Sequence, residues 1–342
     1  MFSHRHLSAP ALAALVLSII ASNSAVARFE RTKNFLSSVK KVKIPSVQDI
    51  KNIRMPRLSA FFGSYVSQEE FERDYALPNL CSLTVTNIEG NITVQTGAPT
   101  DSIILSANKK TVEADVLPNM TVQESSIRKN SRSHFTLASV YVGQKTKGAI
   151  DYTLRVPGKI ALQLRTGNGT ISVKGVDGKL IAQTDQGGIE IQETTGAVLA
   201  QTEQKGDITI EQVNGDIKAV ANQGTITIRN ATKSIIASAQ RGNIDAGVDK
   251  LDRDTLLDLN AASGNVMLAL PSTASARVQA HTNSGLLTSS HWIKLTPMTT
   301  QLNKQAWRDF RRSVEGTINN GEAEVKLSSS SGNIKILDTT TT

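Results

Sequence analysis

The sequence predicts an all-β fold: a single-stranded β-solenoid, parallel β-helix-like, with a period of about 18 residues, preceded by a signal peptide and a basic arm. Three observations carry that expectation. Glycine-led strand motifs recur at near-constant spacing through the middle of the chain. Within each motif the apolar residues stand two apart, the period of one strand face. The surplus of positive charge is confined to a short segment ahead of the motifs.

Residues 1–27 read as a secretory signal peptide. Arg5 lies in the leading polar stretch, Leu7 to Ala21 form an apolar run, and Ala25-Val26-Ala27 supplies the small-x-small pattern of a cleavage site. Residues 28–62 form a basic linker or arm with nine basic residues against Glu30 and Asp49. Its surplus and Arg5 account for the whole net charge of +8, so residues 63–342 are neutral. Phe35, Leu36, Val39 and Val42 have helical spacing, and Pro45 and Pro56 limit that helix. Lys40, Lys41, Lys43, Lys51, Arg54 and Arg57 are the candidate contacts to an anionic surface; the same arm also fits a tether or end cap.

Residues 63–165 are expected to form the N-terminal β region of the solenoid. Leu83–Thr86, Ile92–Val94, Ile103–Leu105, Phe135–Val142 and Tyr152–Val156 have strand character, the last ended by Pro157. Residues 166–290 carry the regular coils. One apolar column is Ile171, Ile189, Ile208, Ile226, Ile244 and Val266, at spacings of 18, 19, 18, 18 and 22. A second, two residues later in each motif, is Val173, Ile191, Ile210, Ile228, Ala246 and Leu268. Between these strands lies another set, with Leu180, Val198, Ile217 and Ile235 over Ala182, Ala200, Ala219 and Ala237. A coil this short cannot bury its own apolar face, but stacked on a copy of itself it can. An antiparallel meander is the alternative; like-on-like stacking explains the isoleucine column better. Residues 291–342 hold a C-terminal insert and closing strands. Trp292, Trp307 and the run Arg308, Arg311, Arg312 lie in the insert, expected as a cap or side loop.

Residues suited to catalysis do not fall into an arrangement. His134, His281 and His291 lack a partner at metal-ligand spacing, so no metal and no cofactor are expected. Cys81, the single cysteine, reads as a buried small hydrophobe, with a reactive thiol as the other reading. The outward positions Ser172, Glu190, Thr209, Thr227, Asp245 and Met267 put Glu190 and Asp245 three coils apart, roughly 14 Å, too far for a glycosidase pair. Asp185, Asp207 and Asp216 read as turn formers. A neutral body without interleaved aromatic and basic residues argues against nucleic acid as a partner.

Asp151-Tyr152-Thr153-Leu154-Arg155-Val156-Pro157, followed by repeated turn-Gly-x-Ile-x-Ile units, resembles a bacterial family of candidate-adhesin domains. Leu83–Gly90, Ser263–Pro271 and Ser330–Ile336 match its opening strand, its later coil and its closing strand. The resemblance covers roughly residues 80–337. It implies a β-solenoid domain akin to autotransporter-adhesin heads and brings no catalytic residues. The expectation is therefore a non-catalytic protein of the periplasm, cell surface or medium, working by adhesion or envelope scaffolding. Its partners would be envelope or host glycans, or an anionic membrane surface through the arm. The alternative is a solenoid enzyme or binding module acting on polysaccharide.

Overall fold

In the computed structural model, residues 67–142, 148–296 and 312–339 are described. Apart from a 3-10 turn at Ala114–Asn119, their regular structure is all strand. The signal peptide, the basic arm and Trp307 fall outside these residues.

Each coil contributes one strand to each of two sheets. Ile189–Thr195, for example, pairs in parallel with Ile171–Lys174 on one side and Ile208–Asn214 on the other. Val198–Lys205 sits between Leu180–Gln186 and Ile217–Gln223 in the second sheet. The pairing is in register, isoleucine on isoleucine and alanine on alanine, which selects the parallel solenoid over the meander. Both isoleucine-rich columns of the first sheet are buried, from Ile171 to Val266 and from Val173 to Leu268. They continue past the repeats through Ile92 and Val94 at one end and Ile334 and Ile336 at the other. Removing each large side chain from water contributes about 1.5–3 kcal/mol, so an unbroken column holds the coils together.

The second sheet has three inward columns. Large residues (Leu180, Val198, Ile217, Ile235) stand beside the alanines Ala182, Ala200, Ala219 and Ala237, all buried. The small column leaves room for the opposing isoleucines. The third column, Thr166, Thr184, Thr202, Ala221, Ala239, Ala261 and Ser329, is also buried. Its hydroxyls donate to corner carbonyls: Thr166 Oγ1 to Gly90 O at 2.9 Å, and Ser329 Oγ to Gly264 O at 2.8 Å. Those bonds offset the cost of burying a polar group.

One corner explains the recurring glycine. A Cβ on Gly206 would lie 1.7 Å from Gly187 O, and one on Gly224 2.1 Å from Gly206 O. Stacking at strand spacing leaves no space for a side chain there. The next residue is often Asn or Asp, whose side chain accepts from the backbone of the following coil: Asp207 Oδ1 from Thr225 N at 2.7 Å, Asn243 Oδ1 from Asn265 N at 2.8 Å.

The ends depart from chain order. The coil of Leu80–Glu89 and Ile92–Thr96 lies between Arg132–Tyr141 with Gly148–Val156 outside it and Ala161–Asn168 with Ile171–Lys174 inside. At the other end, Ala323–Ser329 and Ile334–Asp338 lie between the 256–270 coil and the strands Ala276–Thr282 and Leu287–Ser289. The earliest and latest parallel coils are thus each inserted one place in from the end. Beyond them the pairing turns antiparallel: Ser67–Ala76 on Ser102–Thr111, Met120–Lys129 on Arg132–Tyr141, and Ser313–Ile318 on Ala276–Thr282. The amino-terminal edge strand carries Glu69, Glu70, Glu72 and Asp74, charges that discourage further strand addition. Trp292 is 94% exposed.

Candidate functional site

In the regular coils some outward charges pair across coils. Arg229 grips the Asp245 carboxylate through both guanidinium nitrogens, one of them 2.6 Å from Oδ1, and this hydrogen bond holds the guanidinium pKa up. Arg165 bonds Asp185 at 3.1 Å, and Gln192 donates to Glu211 at 3.5 Å. Asp245, treated from the sequence as a free outward acid, is therefore occupied. Asp185 is likewise an ion-pair partner as well as a turn former. Glu190 stands exposed, opposite Ser172 and Thr209.

The single cysteine sits at a β-bulge, where Leu80 pairs with Ser133 and Ser82 with His134. The extra residue, Cys81, is half-buried instead of belonging to the core. Its Sγ lies 3.6 Å from His134 Nδ1, which also hydrogen-bonds Ser82 Oγ at 2.6 Å. Sequence spacing alone could not bring Cys81 and His134 together, since they meet through strand pairing. Among the described residues no three His, Cys, Asp or Glu side chains cluster as metal ligands.

The richest constellation lies on the outer face of the second sheet at its carboxy-terminal end. The strand order there is Lys294–Leu295, Ser313–Ile318, Ala276–Thr282, Ala323–Ser329, Leu256–Ser263. Alternation buries Val314, Val278, Val325 and Leu257 and turns their neighbours outward. Register then aligns Glu315, Gln279, Lys326 and Asp258 in one row across four strands. A parallel row holds Ser313, His281, Ser328 and Asn260. Between these rows runs a shallow groove of about 260 Å³, lined by Gln279, His281, Glu315 and Lys326 among others. Lys326 Nζ is 2.8 Å from Glu324 Oε1. Burial pushes the Asp258 carboxyl above its ordinary range, Lys326 draws it back and Glu324 adds to the rise. His281 is held through Nε2 to Asn283 Oδ1 at 2.8 Å.

Past the groove the outermost strand extends the surface. Lys294 stands opposite Thr317. Ile293 packs against the core, and its neighbours Trp292 and Lys294 face solvent. None of the groove residues except His281 was singled out from the sequence, because their strands are joined by long excursions with no repeat. Lys40, Lys41, Lys43, Lys51, Arg54 and Arg57 lie outside the described residues.

A stacked parallel coil with polar lateral faces and a shallow groove defines a β-solenoid domain. The chain belongs to the Toastrack DUF4097 family, which it matches over residues 118–337. No curated protein matches it. Among solved structures it is similar to a candidate adhesin from Bacteroides fragilis at 14% identity and a TM-score of 0.40, covering 80% of this chain and 100% of that one. A candidate adhesin from Parabacteroides distasonis is similar at 11% identity and 0.43, over 79% and 97% of the two chains. A candidate cell adhesion protein from Clostridium sporogenes is similar at 8% identity and 0.26, over 80% and 100%. At these values the likeness assigns no activity to this chain.

Proposed function

We propose that this protein is an exported, non-catalytic binding protein of the cell envelope that works through the lateral faces of its solenoid, in adhesion or as a scaffold. The observation that carries the reading is the outer surface itself. It is a set of stacked ladders of outward polar and charged residues, some of them paired coil to coil, as Arg229 binds Asp245 and Arg165 binds Asp185. Such a surface offers regularly spaced contacts over a long face and suits extended or polymeric partners. The signal-like residues 1–27 and the basic residues 28–62 support export and an anionic surface nearby.

The test is protease accessibility on intact against lysed cells, together with co-sedimentation of the purified protein with isolated envelopes. Digestion on intact cells places the solenoid outside and supports adhesion. Protection until lysis turns the reading to a periplasmic scaffold. Failure to co-sediment with envelopes at either location contradicts the proposal.

One observation favours a second reading, an enzyme acting on polysaccharide. Asp258 and Glu324 stand close enough for their charges to interact, with Lys326 beside both and Glu315 and His281 in the adjoining groove. Release of new reducing ends from envelope polysaccharide, lost in Asp258→Asn, would establish it. The lateral-surface reading predicts none.

A further inference from the structure

We infer that the outer face at the carboxy-terminal end of the second sheet is a subsite for a neutral glycan chain, with Trp292 as its stacking platform. This rests on the binding-protein reading and names the class of ligand for it. Three features of this face support it.

The first is Trp292. A tryptophan at 94% exposure leaves a large apolar ring in water, where nearly all other large hydrophobic side chains of the described residues are packed away. The alternation of His291, Trp292, Ile293 and Lys294 fixes its side: Ile293 is anchored on the core, so the indole and Lys294 face outward. Lys294 pairs with Thr317, and Thr317 lies two residues from Glu315 on the same outward face. By the same register Trp292 lies on the outward side of this edge, about four residues, roughly 13 Å, along the strand direction from the Glu315 row.

The second is the groove's polar lining. Glu315, Gln279 and Lys326 form a continuous row of acceptor, amide and donor, one residue per strand. The amide both donates and accepts, the carboxylate accepts and the ammonium donates, so a vicinal pair of hydroxyls can be met on either side. Adjacent members are separated by one strand spacing, about 4.8 Å, and repeat without a deep pocket. A polymer of several sugars that crosses this row obliquely toward Trp292 is covered by both, whereas a compact small molecule would be left largely uncovered.

The third is charge. Arg277, Lys294 and Lys326 on this face are matched by Asp258, Glu315 and Glu324. Among the described outward strand residues of this face the charges therefore balance, which disfavours nucleic acid and acidic polysaccharide and fits a hydroxyl-rich, uncharged chain. Aromatic rings carry an apolar face that packs on the C–H face of a sugar while polar neighbours take its hydroxyls, the division of labour found where tryptophan anchors an interface.

The experiment is calorimetric titration of the full chain with cellohexaose, xylohexaose, mannohexaose and N-acetylchitohexaose, repeated for four variants. At least one probe is expected to bind. Trp292→Ala should weaken it about tenfold or more, Trp292→Phe should keep most of the affinity, and Gln279→Ala should weaken it measurably. Thr209→Ala, on the other sheet, should bind as the parent does. All three positions are solvent-facing, and unchanged melting temperatures confirm that the variants fold. Absence of binding to all four probes, or unchanged affinity in Trp292→Ala, overturns the subsite. Self-association that Trp292→Ala abolishes, without sugar binding, also overturns it and makes the face a protein interface. Envelope co-sedimentation separates the two levels. If the parent pellets with envelopes but ignores the sugars, the glycan subsite falls and the binding-protein reading stands. If the parent does neither, both fall.

Discussion

The middle of this solenoid and its two ends are built from the same strands by different rules. From Ala161 to Leu270 each coil lies directly on the one before it in the chain, in parallel and in register. At both ends space and chain order part: a coil is inserted one place in, and antiparallel strands finish three of the four sheet edges, the parallel Leu287–Ser289 the fourth. The difference follows from what each region must do. A middle coil needs only to present its neighbour with a copy of itself. An end coil has to stop the stacking, and wedging the terminal coil between two others leaves both of its faces covered. At the carboxy-terminal end a polar groove and an exposed tryptophan lie on the same outer side of the second sheet.

The sharpest break of the middle is a charge in its column. Ile208→Asp puts a carboxylate where the side chain is wholly buried between Ile189 and Ile226, and is expected to cost roughly 4–5 kcal/mol or more, enough to unfold the body. Thr209→Asn, one residue on and facing out, should change stability by less than about 0.5 kcal/mol. Chemical denaturation of the two variants checks the pair.

Next in size are the corner glycines. Gly224→Ala drives a methyl into Gly206 O at a backbone φ of +147°, and should cost roughly 2–3 kcal/mol. Gly188→Ala, with nothing nearer than 3.5 Å, should be nearly silent. Gly285→Ala meets Gly332 O at 2.0 Å, yet belongs to an outermost coil that can shift, so its cost should fall below that of Gly224→Ala. Equal costs would say that the end is as rigid as the middle.

A smaller effect marks the carboxy-terminal end. The folded Asp258 holds its proton to higher pH than the unfolded chain does, because burial disfavours the carboxylate. Stability from this group is therefore complete below its ordinary value of 3.8 and is lost as pH rises through the folded value. Asp258→Asn should raise the melting temperature at pH 7 by about 1–2 °C, with the gain vanishing in acid. Smallest is Arg229→Ala, which breaks a partly exposed cross-coil pair in the middle and should cost about 1 kcal/mol or less.

The middle was legible because identical columns need identical residues: Ile171 to Val266 and Ala182 to Ala237 declare strand, face and period at once. The third inward column was not, because Thr184, Thr202 and Ala221 look like surface residues until the corner carbonyls they stand beside are located. The insertion of the terminal coils was hidden for a related reason. Strand pairing between Asp258 and Lys326 spans an irregular excursion, and nothing in either strand names its partner. The groove inherits that obscurity, since Glu315, Gln279 and Lys326 become neighbours only through it.

That spatial order is open to a direct measurement. In a Cys81→Ser background, Asp258→Cys is combined with either Lys326→Cys or Gln279→Cys and each pair is oxidised. Neighbouring strands hold facing Cα atoms about 5 Å apart, within disulfide reach, while strands two places apart hold them roughly 10 Å apart, beyond it. The inserted order 258, 326, 279 predicts that the Asp258→Cys/Lys326→Cys pair closes rapidly and the Asp258→Cys/Gln279→Cys pair stays reduced. Rapid closure of the second pair with none in the first would mean that the coils stack in chain order to the end, and would dismantle the groove together with the account of how the solenoid stops.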